Sequence, residues 1–187
     1  REQILITRAL TDRPFGVNLP LTSPHAAAVI GVILEDEVTI VTTSVGDPLD
    51  RIPEFKQAGI RVMPVIGSVA RARRLEKAGV DAIGAEGTES GGHIGETTTM
   101  ALVPQVVDSV SLPVVAAGGI ADGRGVAAVL ALGAFGAQLG TRFVCSEECI
   151  AHPDYKQKIL EAHDRSTVVT GRSTGLPLRS LKNSLTE

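Results

Sequence analysis

At 187 residues, 43% apolar and 21% charged, the chain has the composition of a globular polypeptide with a sizeable core, which excludes a disordered or fibrous class. A formal charge of −3 with scattered basic residues gives no footprint for nucleic acid or an anionic membrane surface. No apolar run approaches the roughly 18 residues of a membrane span and no signal peptide is visible, so a cytoplasmic protein is expected.

The chain opens at Arg1 inside a helical pattern over residues 2–10, as an excerpt of a longer protein would. The run Pro14-Phe15-Gly16-Val17-Asn18-Leu19 predicts a strand, and Ser23-Pro24 predicts the start of a helix reaching Glu35. The β-branched run 38–43 predicts the next strand, with Asp47-Pro48 opening a helix that Gly59 closes. Residues 61–66 form a third strand; Ser68 caps a helix to Ala78, which Gly79 ends. A fourth strand, 80–85, leads into Ala85-Glu86-Gly87-Thr88-Glu89-Ser90-Gly91-Gly92-His93-Ile94-Gly95, and a helix follows over 97–110. Residues 113–117 are a fifth strand, ending in Gly118-Gly119, with Asp122 capping a helix to Leu132 that Gly133 stops. Residues 135–139 are a sixth strand, ending in Gly140-Thr141; a helix over 153–162 and a less regular tail, 166–187, complete the chain.

Strands alternating with helices every 20 to 25 residues or so require crossover connections and therefore a parallel sheet, either a doubly wound open sheet or a barrel. Polar and glycine-rich segments after nearly every strand favour a ring of loops over a single crevice. The expected fold is an α/β (β/α)8 TIM barrel, incomplete here, with about six of eight β/α units. Residues 1–187 are expected to be one domain lacking N-terminal strands and a C-terminal region.

Gly91 and Gly92 let backbone lie flat against a ligand, and His93 beside them is able to move a proton near neutral pH, since free histidine titrates at about 6.5. Gly118-Gly119 and Gly140-Thr141, on successive late loops, are candidate phosphate-binding backbone. A phosphate cradle, a flat-ring site and a histidine together suit a flavin mononucleotide. Cys145 and Cys149 lack the further ligands of a structural zinc site and are expected to be reduced thiols, so no metal is expected. Arg71, Arg73 and Arg74 are read as an exposed helix face, and His25 and His163 as solvated. A barrel that binds a phosphorylated ligand without chemistry is the non-enzymatic reading.

Residues 14–18, 85–95, Thr97-Thr98-Thr99-Met100, 116–123, 138–143 and 151–156 resemble the family that contains nitronate monooxygenase (formerly 2-nitropropane dioxygenase) and flavin-dependent enoyl-ACP reductase II. The resemblance implies an FMN-bearing barrel, with Asn18, Glu86, Gly91, Gly92, Gly118, Gly119, Gln138, Gly140 and Thr141 contacting the cofactor and His93 as the catalytic histidine. The first two strands of full members, which carry a Gly-Gly-Met segment, have no counterpart here, nor does a helical lid after the tail. Glu86 stands where many nitronate monooxygenases have glutamine, and Gly-Gly-His-Ile-Gly runs closely into Thr-Thr-Thr-Met, as in the reductase. The expected activity is therefore reduction of trans-2-enoyl-ACP with NADH or NADPH in fatty acid synthesis; oxidation of alkyl nitronates with O2 is the alternative, and neither motif excludes the other. The implied partners are an acyl-carrier-protein-linked or small-molecule substrate and a second copy in a homodimer.

Overall fold

The computed structural model describes residues 1–186, so Glu187, the last residue of the expected tail, lies outside the described residues. Helix α1 (Glu2–Leu10) precedes β1 (Gly16–Pro20), α2 (Ala26–Glu35), β2 (Ile40–Ser44), α3 (Ile52–Gln57) and β3 (Arg61–Ile66). Next come α4 (Val69–Lys77), β4 (Ile83–Glu86), a two-residue β5 (Gly92–His93), α5 (Thr99–Val107), β6 (Val114–Ala117) and α6 (Gly123–Ala131). The chain finishes with β7 (Gly136–Gln138), α7 (Thr141–Val144), α8 (Pro153–Leu160), β8 (Thr167–Thr170) and β9 (Leu178–Leu181).

Local chemistry accounts for most boundaries. Ser68 Oγ accepts from the Arg71 N–H at the start of α4, and Asp122 accepts from Arg124 and Gly125 at the start of α6. Gly59, Gly79 and Gly133, with φ of +72°, +84° and +89°, follow the ends of α3, α4 and α6 in the left-handed conformation that stops a helix. Three helices start later than the sequence predicts, α5 at Thr99 rather than at residue 97, and α2 and α3 for a visible local reason. Ser23 Oγ accepts from the His25 N–H at 3.2 Å, closing a turn before α2 rather than capping it. Pro48 likewise begins a turn, its carbonyl accepting from Arg51 and Ile52, and α3 starts only after it.

Six parallel strands pair in the order β1-β2-β3-β4-β6-β7, each beside its predecessor in this series. An order with no reversal has no switch point, so the sheet curls into a half-barrel with helices, a partial TIM barrel. Leu19, Val41, Val62, Ile83 and Ala116 on the strands meet Ile33, Phe55, Leu75, Leu102 and Val103 on the helices in one buried core. Full burial of a side chain the size of Phe55 contributes about 1.5–3 kcal/mol. The middle strand β4 is buried on both faces at Ile83, Gly84 and Ala85, whereas β2 and β3 are buried on one face only. In β3, Val62, Pro64 and Ile66 are buried while Met63 and Val65 stay partly exposed, and β2 alternates in the same way.

The tail is more regular than expected. β8 and β9 pair antiparallel, and β9 also pairs antiparallel with β5, placing Gly92 opposite Arg179 and His93 opposite Leu178. Among the described residues, no helix is long and apolar enough to cross a membrane.

Candidate functional site

A cleft of about 780 Å³ opens where the C-terminal ends of the strands converge. Its lining begins with Asn18 on β1, Ser44 to Gly46 from the last residue of β2 onward, and Val65 to Ser68 across the end of β3, with Arg71 on α4. Glu86 at the end of β4, Gly91 to Thr97, and Gln138 on β7 continue it, and Gly175, Leu176 and Pro177 close the far side. This is the face on which parallel barrels carry their sites, because each strand delivers its following loop there.

Asn18 is oriented by its neighbours. Its Oδ1 accepts from Thr42 Oγ1 at 3.0 Å and its Nδ2 donates to Ser44 Oγ at 3.3 Å. Gly67 and Gly95 bring their backbones together, each being so close that a Cβ on one would stand 3.2 Å from the Cα of the other. Glu86 is partly buried, which pushes its carboxyl above the ordinary range; the nearby Ser90 hydroxyl offsets this in part by favouring the ionised form. That approach falls short of a regular hydrogen bond, and the buried Ser90 Oγ has no partner of good geometry.

The turn after β4 is held from several sides. Gly87 N–H donates to Ala117 O at 2.9 Å, Thr88 N–H to Thr97 O at 3.0 Å and Ser90 N–H to Gly87 O at 3.2 Å. Glu89 accepts from the Thr99 N–H at 2.9 Å, and Thr99 Oγ1 lies 2.9 Å from both Glu89 Oε2 and Gly118 O. Gly92 has φ +86°, whereas Gly91 is not in the left-handed region. His93 is exposed at the cleft on β5.

Asn18, Glu86, Gly91, Gly92, His93 and Gln138 thus line one cleft. Gly118, Gly119, Gly140 and Thr141 do not line it. Gly118 and Gly119, with φ of +101° and +71°, pack toward the β4 turn: a Cβ on Gly118 would stand 2.9 Å from Gly87 O, and one on Gly119 3.1 Å from Glu89 Cβ. Gly140 precedes α7, and Arg142 Nε donates to Ala121 O at 2.9 Å, tying the two late loops side by side.

Sequence reasoning misses the segment after β2, Arg71, and residues 175–177. Val45 sits at φ +46°, unusual for a β-branched residue, next to Gly46 at +126°. Arg71 is exposed, as expected, and its Nη2 also donates to Gly46 O at 2.6 Å from the first turn of α4, at the cleft. Arg73 and Arg74 are exposed as expected, Arg74 pairing with Asp47 at 3.0 Å. The signal for the first two was present, since a polar glycine-bearing loop follows β2 and Arg71 starts the helix after β3; nothing local marks residues 175–177. His25 and His163 are exposed. Cys145 and Cys149 are free and partly buried, and among the described residues no group of three or more His, Cys, Asp or Glu side chains is placed to hold a metal ion.

A family model described as nitronate monooxygenase matches residues 23–187. Among curated proteins, (3aS,4S,5R,7aS)-5-hydroxy-7a-methyl-1-oxo-octahydro-1H-indene-4-carboxyl-CoA dehydrogenase of Rhodococcus jostii is 38% identical over 96% of this chain and 51% of its own length. A nitronate monooxygenase of Paraburkholderia phytofirmans is 36% identical over 100% of this chain and 64% of its own. Among solved structures, FabK from Thermotoga maritima superposes with a TM-score of 0.95 at 52% identity, covering 99% of this chain and 60% of that one. A nitroalkane oxidase from Streptomyces ansochromogenes superposes with a TM-score of 0.85 at 33% identity, covering 97% of this chain and 65% of that one. The chain spans about half the length of the first of these relatives and less than two thirds of each of the others.

Proposed function

This chain belongs to the nitronate monooxygenase family, and we propose that it forms the core of an FMN-dependent oxidoreductase that reduces a trans-2-enoyl thioester on acyl carrier protein with NADH or NADPH. The observation that carries the reading is the cleft wall, where Gly91 and Gly92 present backbone and His93 follows at once, on the same short strand as Gly92. A flat conjugated ring needs that close approach to main chain, and side chains in place of the glycines would hold it away. The buried Ser90 hydroxyl without a regular partner, beside the half-buried Glu86 carboxyl, is a polar group suited to a ligand rather than to the protein's own bonds.

In this proposal Asn18, Glu86, Gly91, Gly92 and Gln138 hold the flavin. Gly118, Gly119, Gly140 and Thr141, on adjacent loops tied by Arg142, hold its phosphate through backbone amides. FMN, when bound, supplies the hydride chemistry. The protein's part is to orient the enoyl group and to move a proton. His93, exposed at the cleft, gives that proton to the substrate carbon or oxygen that needs it. Ile94, Leu176 and Pro177, all in the lining, form an apolar rim for an acyl chain.

The choice of a thioester substrate draws on the 52% identity to FabK, an enoyl-ACP reductase II, and on the Rhodococcus relative, whose name specifies a CoA thioester. The family model and the Paraburkholderia relative favour a second reading, oxidation of an alkyl nitronate with O2. Anaerobic mixing of the flavin-loaded intact protein with NADH or NADPH separates them. Rapid bleaching followed by reoxidation with an enoyl thioester is the expected result. Bleaching by a nitronate, with none by either nicotinamide, would replace the reductase reading with the second.

A further inference from the structure

The two ends of the glycine turn are held by one distant residue. The main chain of Arg179 on β9 pairs with Gly92 in the antiparallel ladder, and its side-chain Nε donates to the Thr88 carbonyl at 3.1 Å. Its Nη1 donates to Thr167 Oγ1 on β8 at 3.0 Å, so the planar guanidinium is fixed from behind as well. On the downstream side, Ile94 N–H donates to Pro177 O at 3.0 Å from the same hairpin.

Packing does not hold Gly91 and Gly92 at the end of the turn. A Cβ on Gly91 or Gly92 would meet nothing within 4 Å, and glycine is the residue with most conformational freedom to lose. The bonds to the hairpin therefore set where His93 stands, and Arg179 supplies one at each end of the stretch from Thr88 to Gly92, by side chain at Thr88, beside the bond of the Thr88 N–H to Thr97 O, and by main chain at Gly92.

We propose that Arg179 is a positioning residue for His93, clamping the turn between Thr88 and Gly92 so that the imidazole is held at the cleft. The proposal rests on the reading of His93 as the group that handles the proton. It places the hairpin 167–181 in the working part of the molecule, through the one arginine whose side chain bonds the turn among the described residues.

The test uses the flavin-loaded intact protein with Arg179→Met, Arg179→Lys, Thr167→Val and His93→Ala, and the double variant of Arg179→Met with His93→Ala. Arg179→Met should lower turnover per bound flavin about 10- to 100-fold, the scale of a misplaced catalytic group, with a much smaller change in KM. Arg179→Lys, which keeps a donor for the Thr88 carbonyl, should recover most of the loss, and Thr167→Val should give a smaller loss of the same kind. In the His93→Ala background, Arg179→Met should have no further effect, because it acts through the imidazole. Amide exchange at Gly92 and His93 should be faster in Arg179→Met without any substrate present. The proposal is overturned if the Met and Lys variants lose turnover alike, if the loss persists in the His93→Ala background, or if exchange at these amides is unchanged. Exchange is independent of the reaction, so faster exchange in a protein whose parent reduces no enoyl thioester supports the clamp and removes the reductase reading alone.

Discussion

Gly87 lies so close against Thr99 that a Cβ on the glycine would stand 2.1 Å from the threonine Oγ1, 2.4 Å from its nitrogen and 2.6 Å from its Cα. Two of those atoms are backbone at the first residue of α5, so no rotamer change relieves the clash. Gly87→Ala should therefore destabilise the fold by roughly 3 kcal/mol or more, the upper part of the range for overpacking. Urea denaturation checks this; a variant within about 1 kcal/mol of the parent would mean that the β4 turn shifts freely, against its bonds to Ala117 and Thr97.

His93→Ala should leave the cofactor bound and slow turnover by about 10²- to 10⁴-fold, or roughly 3 to 5 kcal/mol of barrier. The measurement is turnover per bound flavin alongside flavin occupancy. A histidine with a structural role gives the reverse pattern, lower occupancy or thermal stability with turnover per flavin intact. Its exposure on a two-residue strand argues against that role.

Glu86→Gln tests the burial of the carboxyl. Burial raises the Glu86 pKa above its ordinary 4.5, so the folded state holds the proton more tightly than the unfolded chain does. Ionising Glu86 thus costs stability as pH rises from the unfolded value through the folded one. In flavin-free protein, the glutamine variant should gain on the parent between pH 4 and pH 7, by thermal melting at each pH. A constant difference across that range would show that burial does not govern this carboxyl.

Asp122 has the opposite sign. The Arg124 side chain and the Arg124 backbone N–H hold its carboxyl at about 2, below the ordinary 3.8. Its contribution to α6 is present above the unfolded value and is lost as pH falls from about 4 towards 2. Asp122→Asn keeps a capping oxygen without the charge, so the melting temperature of the parent relative to this variant should fall over that window. Parallel curves would assign the cap to hydrogen bonding alone.

The order of six parallel β/α units was legible in the sequence because each signal is local: β-branched runs, Ser68 and Asp122 as caps, and Gly59, Gly79 and Gly133 as stops all act within a turn of where they stand. The cleft was legible where a strand end carries its own polar residue, as with Asn18, Glu86 and Gln138, since a parallel strand has only one end at that face. Tertiary structure alone decided the rest. Pairing of Gly92 with Arg179 joins distant segments through main-chain bonds, and a two-residue strand has no periodicity to announce it. The same holds for Arg71, whose position in the first turn of α4 is local but whose reach to Gly46 depends on how the β2 loop folds back over it. That Gly118 and Gly119 pack against Gly87 and Glu89 was likewise decided by the fold, because a glycine in the sequence records only that backbone comes close, not what it comes close to.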